Sequence, residues 1–179
     1  MKNIKSVLAV ATLIATSLPA FAAASPHETI NADIDGAKIK IVYGRPYTKS
    51  PRTGEMRKIW GGLVPYGQVW RTGADAATLL TTDQTLMIGD TTVPAGTYSL
   101  YTLPEEKGTS KLIINKQTGQ WGTEYDKEKD LARVELKKEA LEKSVDQFTI
   151  AVDKGSSAGG VITLKWENTA YSVAFTVKK

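Results

Sequence analysis

Apolar and polar residues alternate along most of this chain, and turn-forming pairs interrupt the alternation every few residues. That pattern constrains the fold more than any other feature, because a period of two gives each strand one face for a core. It is clearest between Ile30 and Tyr43. Asp35-Gly36 has the residue types of a two-residue type I′ turn. With that turn, Ile34 faces Ala37, Ala32 faces Ile39 and Ile30 faces Ile41, all on one side. Asp33 and Lys38 then pair with opposite charge on the other side. A slip of one residue would mix the two faces, so the register is well specified.

Further strands are expected at Ala76–Thr82 and Thr85–Ile88. Gly89-Asp90 suits a type II′ turn that brings Leu86 opposite Val93. Val93 to Gly96 fits a type I turn with Pro second and Gly fourth. Thr97–Leu103 and Lys111–Asn115 read as buried strands. Between Thr123 and Lys143 there are seven acidic and six basic residues, a composition typical of a solvated face. Within it Ala132, Val134 and Leu136 alternate with charges, which favours a strand, with a helix open after Lys137. The C-terminus reads as a three-strand meander built on Phe148–Val152, Ile162–Trp166 and Tyr171–Val177, with the GSSAGG run at 155–160 as a flexible link. The fold class expected is all-β: an antiparallel β-sandwich, jelly-roll or immunoglobulin-like, with a long irregular N-terminal loop segment.

The first 22 residues have the three parts of an export signal. Lys2 and Lys5 supply the positive start, and Val7–Leu18 is an apolar run with only Thr and Ser as polar members. Pro19 ends it, and Ala20-Phe21-Ala22 offers small residues for cleavage after Ala22, with Ala24 as the alternative. A bilayer-spanning helix needs roughly 20 apolar residues, so the run is too short to be an anchor. The expectation is a cleaved leader at 1–22 and one domain at 23–179, periplasmic or secreted, with no membrane insertion after cleavage. The chain has no Cys, so neither a lipid anchor nor a disulfide can hold it. Without the leader's two lysines, 21 basic residues face 19 acidic ones, a net charge of +2. So small a balance gives nucleic acid no electrostatic footprint.

Standard catalytic machinery is not legible. His27 is the sole histidine, which excludes a histidine-based metal cluster. There is no phosphate loop and no dinucleotide fingerprint, and neither a cofactor nor a metal is expected. A glycosidase would need two carboxyls across a cleft, which sequence cannot place.

The informative feature is a bias between Gly44 and Asp75, where the alternation stops. That stretch holds six of the 15 glycines and three of the seven prolines; a short helical turn near Lys58–Val64 and a brief strand around Val69–Thr72 are expected within it. Four of the five arginines (Arg45, Arg52, Arg57, Arg71) fall there, although Lys outnumbers Arg 18 to 5 overall. Trp60, Trp70, Tyr47 and Tyr66 accompany them. Guanidinium groups bind carboxylate or phosphate with two parallel bonds, and large rings stack on sugars. The same residues can instead pin a long loop to the sandwich end, which would make Trp70-Arg71-Thr72-Gly73 a clasp. Trp121 and Trp166 read as core, and Arg71 with Asp75 as an ion pair.

The strings Tyr43-Gly44-Arg45-Pro46, Gly61 to Gly67, Val69 to Ala74, Pro94 to Leu100 and Asn115 to Gly122 resemble the DUF2911 family of proteins of unknown function. The resemblance runs from about Ser25 to the C-terminus. It implies an exported, mostly β protein and no particular activity. The family pattern carries Asn where this chain has Asp75. The lead functional expectation is a non-catalytic binding module for a sugar or small anion, with Arg45, Arg57, Tyr66, Trp70, Arg71 and Asp75 as its ligand-binding residues. A carboxylate-dependent hydrolase using Asp75, and a structural envelope protein without a ligand, are the alternatives.

Overall fold

The computed structural model describes residues 25–156 and 158–178. The expected leader and its cleavage point lie outside them. Ten strands account for just over half of the described residues: β1 His27–Ile34, β2 Ala37–Gly44, β3 Thr78–Thr82, β4 Leu86–Ile88, β5 Thr91–Val93, β6 Gly96–Leu103, β7 Lys111–Asn115, β8 Asp130–Glu135, β9 Lys137–Lys154 and β10 Gly160–Val177. A 3-10 turn at Lys127–Lys129 is the one helical piece among the described residues. The strands form two antiparallel sheets, six-stranded in the order β1-β2-β3-β6-β7-β8 and four-stranded in the order β5-β4-β10-β9.

The first hairpin has the expected register, with Ile34 opposite Ala37, Ala32 opposite Ile39 and Asp33 opposite Lys38. Asp35 and Gly36 both have positive φ (50° and 88°), as a type I′ turn requires. Leu86 pairs with Val93 across the Gly89 turn. Alternation then builds the core. Ile39, Ile41, Leu80, Leu100, Leu112 and Ile114 come from one sheet, and Leu86, Ile88, Phe148, Ile150, Leu164 and Phe175 from the other. Each fully buried aliphatic or aromatic side chain contributes roughly 1.5–3 kcal/mol. With no disulfide available, this interface is the main source of stability.

Residues 137–154 are strand, not helix. β10 needs a closer look, because 18 extended residues would span roughly 60 Å. Yet a Cβ on Gly160 would collide with the ring of Phe175, and one on Gly159 with the Phe175 carbonyl. The start of β10 therefore lies against its own end, and the strand doubles back at Glu167, whose φ is 52°. The parity of buried residues changes there too, from Ile162, Leu164 and Trp166 to Tyr171, Val173 and Phe175. β9 runs round the outside of this tip: between paired positions it advances nine residues, Thr149 to Ala140, while β10 advances four, Lys165 to Thr169. The three-segment meander of the sequence is thus present, with its last two segments joined at a tight reversal.

The stretch from Arg45 to Ala77 is irregular, as its composition suggests. Lys58–Val64 is a compact loop rather than a helical turn, closed by bonds from Leu63 N to Lys58 O and from Gly61 N to Val64 O. The expected strand at 69–72 contracts to one bridge, in which Trp70 and Thr102 exchange both backbone bonds at 2.8 Å. Part of this segment covers the outer face of β6 and β7. Val69 packs with Ala77, Tyr101, Ile113 and Tyr125 in a second apolar cluster, so those strands are buried on both faces.

The loop returns to the end of β2 through a close backbone contact. A Cβ on Gly44 would sit 2.3 Å from the carbonyl oxygen of Ala74, too near for any carbon. The obstacle is backbone, which cannot rotate away. Gly44→Ala should therefore destabilise the fold by about 1–3 kcal/mol, lowering the melting temperature by about 2–12 °C in a circular-dichroism scan.

Candidate functional site

The Thr72–Asp75 turn is built under strain. Thr72 has φ 52° and Asp75 φ 65°. A β-branched residue at positive φ is an outlier and costs on the order of 1–3 kcal/mol. Local bonds hold it there. The Thr72 hydroxyl lies 2.8 Å from that of Thr102, and Thr78 Oγ1 donates to the Thr72 carbonyl at 2.7 Å. Asp75 adopts the left-handed region more readily, because its short side chain tolerates it.

This turn presents Arg71. Its aliphatic stem lies flat on Gly122, where a Cβ would stand 2.5 Å from Arg71 Cδ. Gly122 is itself fixed by donating to the Asp75 carbonyl at 2.9 Å. The guanidinium has one long bond of 3.5 Å, from Nη1 to the Asp75 carbonyl. The expected Arg71–Asp75 ion pair is not formed: the Asp75 carboxylate instead meets His27 Nε2 at 3.2 Å. The physical reason is the positive φ at Asp75, which turns its carbonyl, not its carboxylate, toward Arg71.

Behind Arg71 stands a cluster of rings that joins the two sheets. Trp70 stacks on Trp166 at 5.8 Å with planes 20° apart, and meets Phe148 edge-on at 5.0 Å and Trp60 at 6.0 Å. Trp60 continues to Tyr171 at 5.2 Å. Trp166 is fully buried, as its alternation suggests. Its indole Nε1, however, has no acceptor. Buried indole N–H groups ordinarily find one.

Arg57, Trp70, Arg71, Asp75 and Trp166 line one small, partly open cavity of about 220 Å³. Ser25, Pro46 and Leu63 complete its wall. Arg57 donates from Nη2 to the Tyr47 carbonyl, but its Nε is buried and has no acceptor. Burial pulls its guanidinium below the usual value, with no carboxylate opposing the effect. Two guanidinium groups thus line one cavity, and Arg57 Nε and Trp166 Nε1 are buried without acceptors in residues that line it. Asp75 is the single carboxylate among its described lining residues, so the carboxyl pair of a glycosidase is not assembled here. Among the described residues, no group of three or more His, Cys, Asp or Glu is placed to hold a metal.

The other two expected site residues lie elsewhere. Arg45 is a clasp: it donates to the Phe148 carbonyl at 3.1 Å and Thr149 Oγ1 at 2.8 Å, and pairs with Glu28 at 3.1 Å. Tyr43, beside it, donates to Glu28 and accepts from Ile150 N, and its burial pushes the phenol up to about 12. Tyr66 faces Lys138, whose ammonium is 5.5 Å from the ring centre. Trp121 is 51% exposed rather than core. Its backbone bridge to Ala76 ties it to the outer end of β3 instead. Trp166 was hidden from sequence reasoning as a site residue, since its position in a strand signals only burial.

These features define a disulfide-free β-sandwich with an arginine-lined cavity at the end where the irregular segment closes the two sheets. The chain belongs to the DUF2911 family, described as proteins of unknown function, whose model matches residues 25–175. No curated protein and no solved structure matches it. The matched region includes Gly44, Gly73 and Ala74, whose backbones meet at close range, and Arg71, whose stem lies on Gly122.

The arginines should separate by experiment. Arg45→Ala removes the guanidinium from the Phe148 carbonyl and leaves Glu28 with Tyr43 alone, and should cost about 1–3 kcal/mol. Arg71→Ala removes one long bond and should leave the melting temperature within about 2 °C of the parent. Thermal unfolding of both variants checks this.

Proposed function

We propose that this protein is an exported, non-catalytic binding module whose ligand carries a small anionic group. The observation that carries this reading is the pair of arginines, Arg57 and Arg71, on the wall of one cavity, with no carboxylate among the described residues paired to either guanidinium. A buried donor without an acceptor costs about 1–3 kcal/mol. An anion with two or more oxygens can accept from both guanidinium groups at once. The leader-like residues 1–22 support export, and the strained turn at Thr72–Asp75 supports a site where stability yields to geometry. No helix among the described residues is long and apolar enough to cross a membrane.

Three of the four tryptophans touch this cavity or its ring cluster, so indole fluorescence is a direct reporter. Titrating the purified protein with acetate, phosphate and sulfate should give a saturable change for at least one of them. Arg57→Ala and Arg71→Ala, checked for folding, should weaken it about tenfold or more, as expected for losing a charge-assisted bond. A flat response to every small anion at millimolar concentration, with the parent folded, would remove this reading.

A further inference from the structure

Arg71 stands between two cavities, not one. On its other side lies a wider, more open hollow of about 400 Å³. Leu63, Trp70 and Arg71 belong to both walls. Gln68, Tyr101, Thr123 and Tyr125 line only the outer hollow. Its character differs from that of the inner cavity: there is no charged side chain besides Arg71, and the wall mixes rings with amide and hydroxyl groups.

The ring of Tyr125 leans on that of Tyr101 at 4.8 Å, and its hydroxyl is fixed by Asp130 at 2.6 Å and Arg133 at 2.7 Å. That places a rigid aromatic surface in the hollow with its polar edge already engaged. Gly122 and Thr123, which follow the half-exposed Trp121, form the rim. Aromatic surface beside neutral hydrogen-bonding groups suits a sugar ring, which offers C–H faces and hydroxyl edges together.

Charge selects the anion. Arg71 is the one charged side chain among the described residues lining the outer hollow, a charge of +1. A monoanion neutralises it; a phosphate monoester, close to doubly charged at neutral pH, overshoots.

We infer that the ligand is a carboxylated sugar of the uronic-acid class, its carboxylate on Arg71, the guanidinium that both hollows share, and its ring in the outer hollow against Tyr125. This rests on the anion-binding reading above and extends it to the body of the ligand. Calorimetric or fluorescence titrations with acetate, glucuronate, methyl glucoside and glucose 6-phosphate test it, with a short oligouronate to tell a free acid from a polymer end. Glucuronate should bind about tenfold or more tighter than acetate, and more tightly than either other sugar. The double variant Gln68→Ala/Thr123→Ala should lose most of that advantage while still binding acetate like the parent. If acetate and glucuronate bind equally, or glucose 6-phosphate binds best, the ring and carboxylate assignment fails while anion binding survives. If none of the anions binds, both readings fail.

Discussion

The contact between Gly44 and Ala74 is the constraint on which the site depends. A strand end and a strained turn meet there backbone to backbone, with no room for a side chain on Gly44. That approach fixes the Thr72–Asp75 turn against β2, and the turn in turn fixes Arg71. Gly73 repeats the theme, since a Cβ on it would stand 2.8 Å from the Gly44 carbonyl. Gly122 then locks the arginine stem from the opposite side. Three glycines from distant parts of the chain thus determine where one guanidinium points.

The ring cluster provides the second half of the arrangement. Trp70 enters from the irregular segment and Trp166 from β10, and their stacking joins the loop to the four-stranded sheet. Had stability been the only demand, the indole N–H of Trp166 would have an acceptor and Thr72 would have negative φ. Neither holds. Such departures also occur elsewhere, at Gln117, Gln120, Tyr171 and Glu167, but those at Trp166 and Thr72–Asp75 adjoin the arginine-lined cavity, where function is expected to lie.

Much of the scaffold was legible in the sequence. The Asp35-Gly36 turn dictated its hairpin because two positive φ values in succession admit few residue types, and alternation then set the register. The tip at Glu167 gave no such turn signal, yet the flanking alternations changed parity and so marked the reversal. The irregular segment was legible only as a composition. Arg45 and Arg57 look alike in sequence; one bonds to β9, the other reaches a cavity, and only packing between distant strands separates them. Trp166 was readable as core and is core, but a missing acceptor for its indole leaves no trace in the order of residues. Asp75 illustrates the same limit. The turn needs a residue that accepts positive φ, which Asp does, and its carboxylate meets His27 rather than Arg71.

The central claim is that the cavity lined by Arg57 and Arg71 accepts an anion beside the buried indole of Trp166. The indole N–H resonance of Trp166, assigned by its loss in Trp166→Phe and followed in 1H–15N spectra as a carboxylate is added, tests this most directly. A saturable downfield shift of that resonance, absent in Arg71→Ala, is the predicted result. A resonance that stays fixed while another part of the protein responds to the anion would contradict the account.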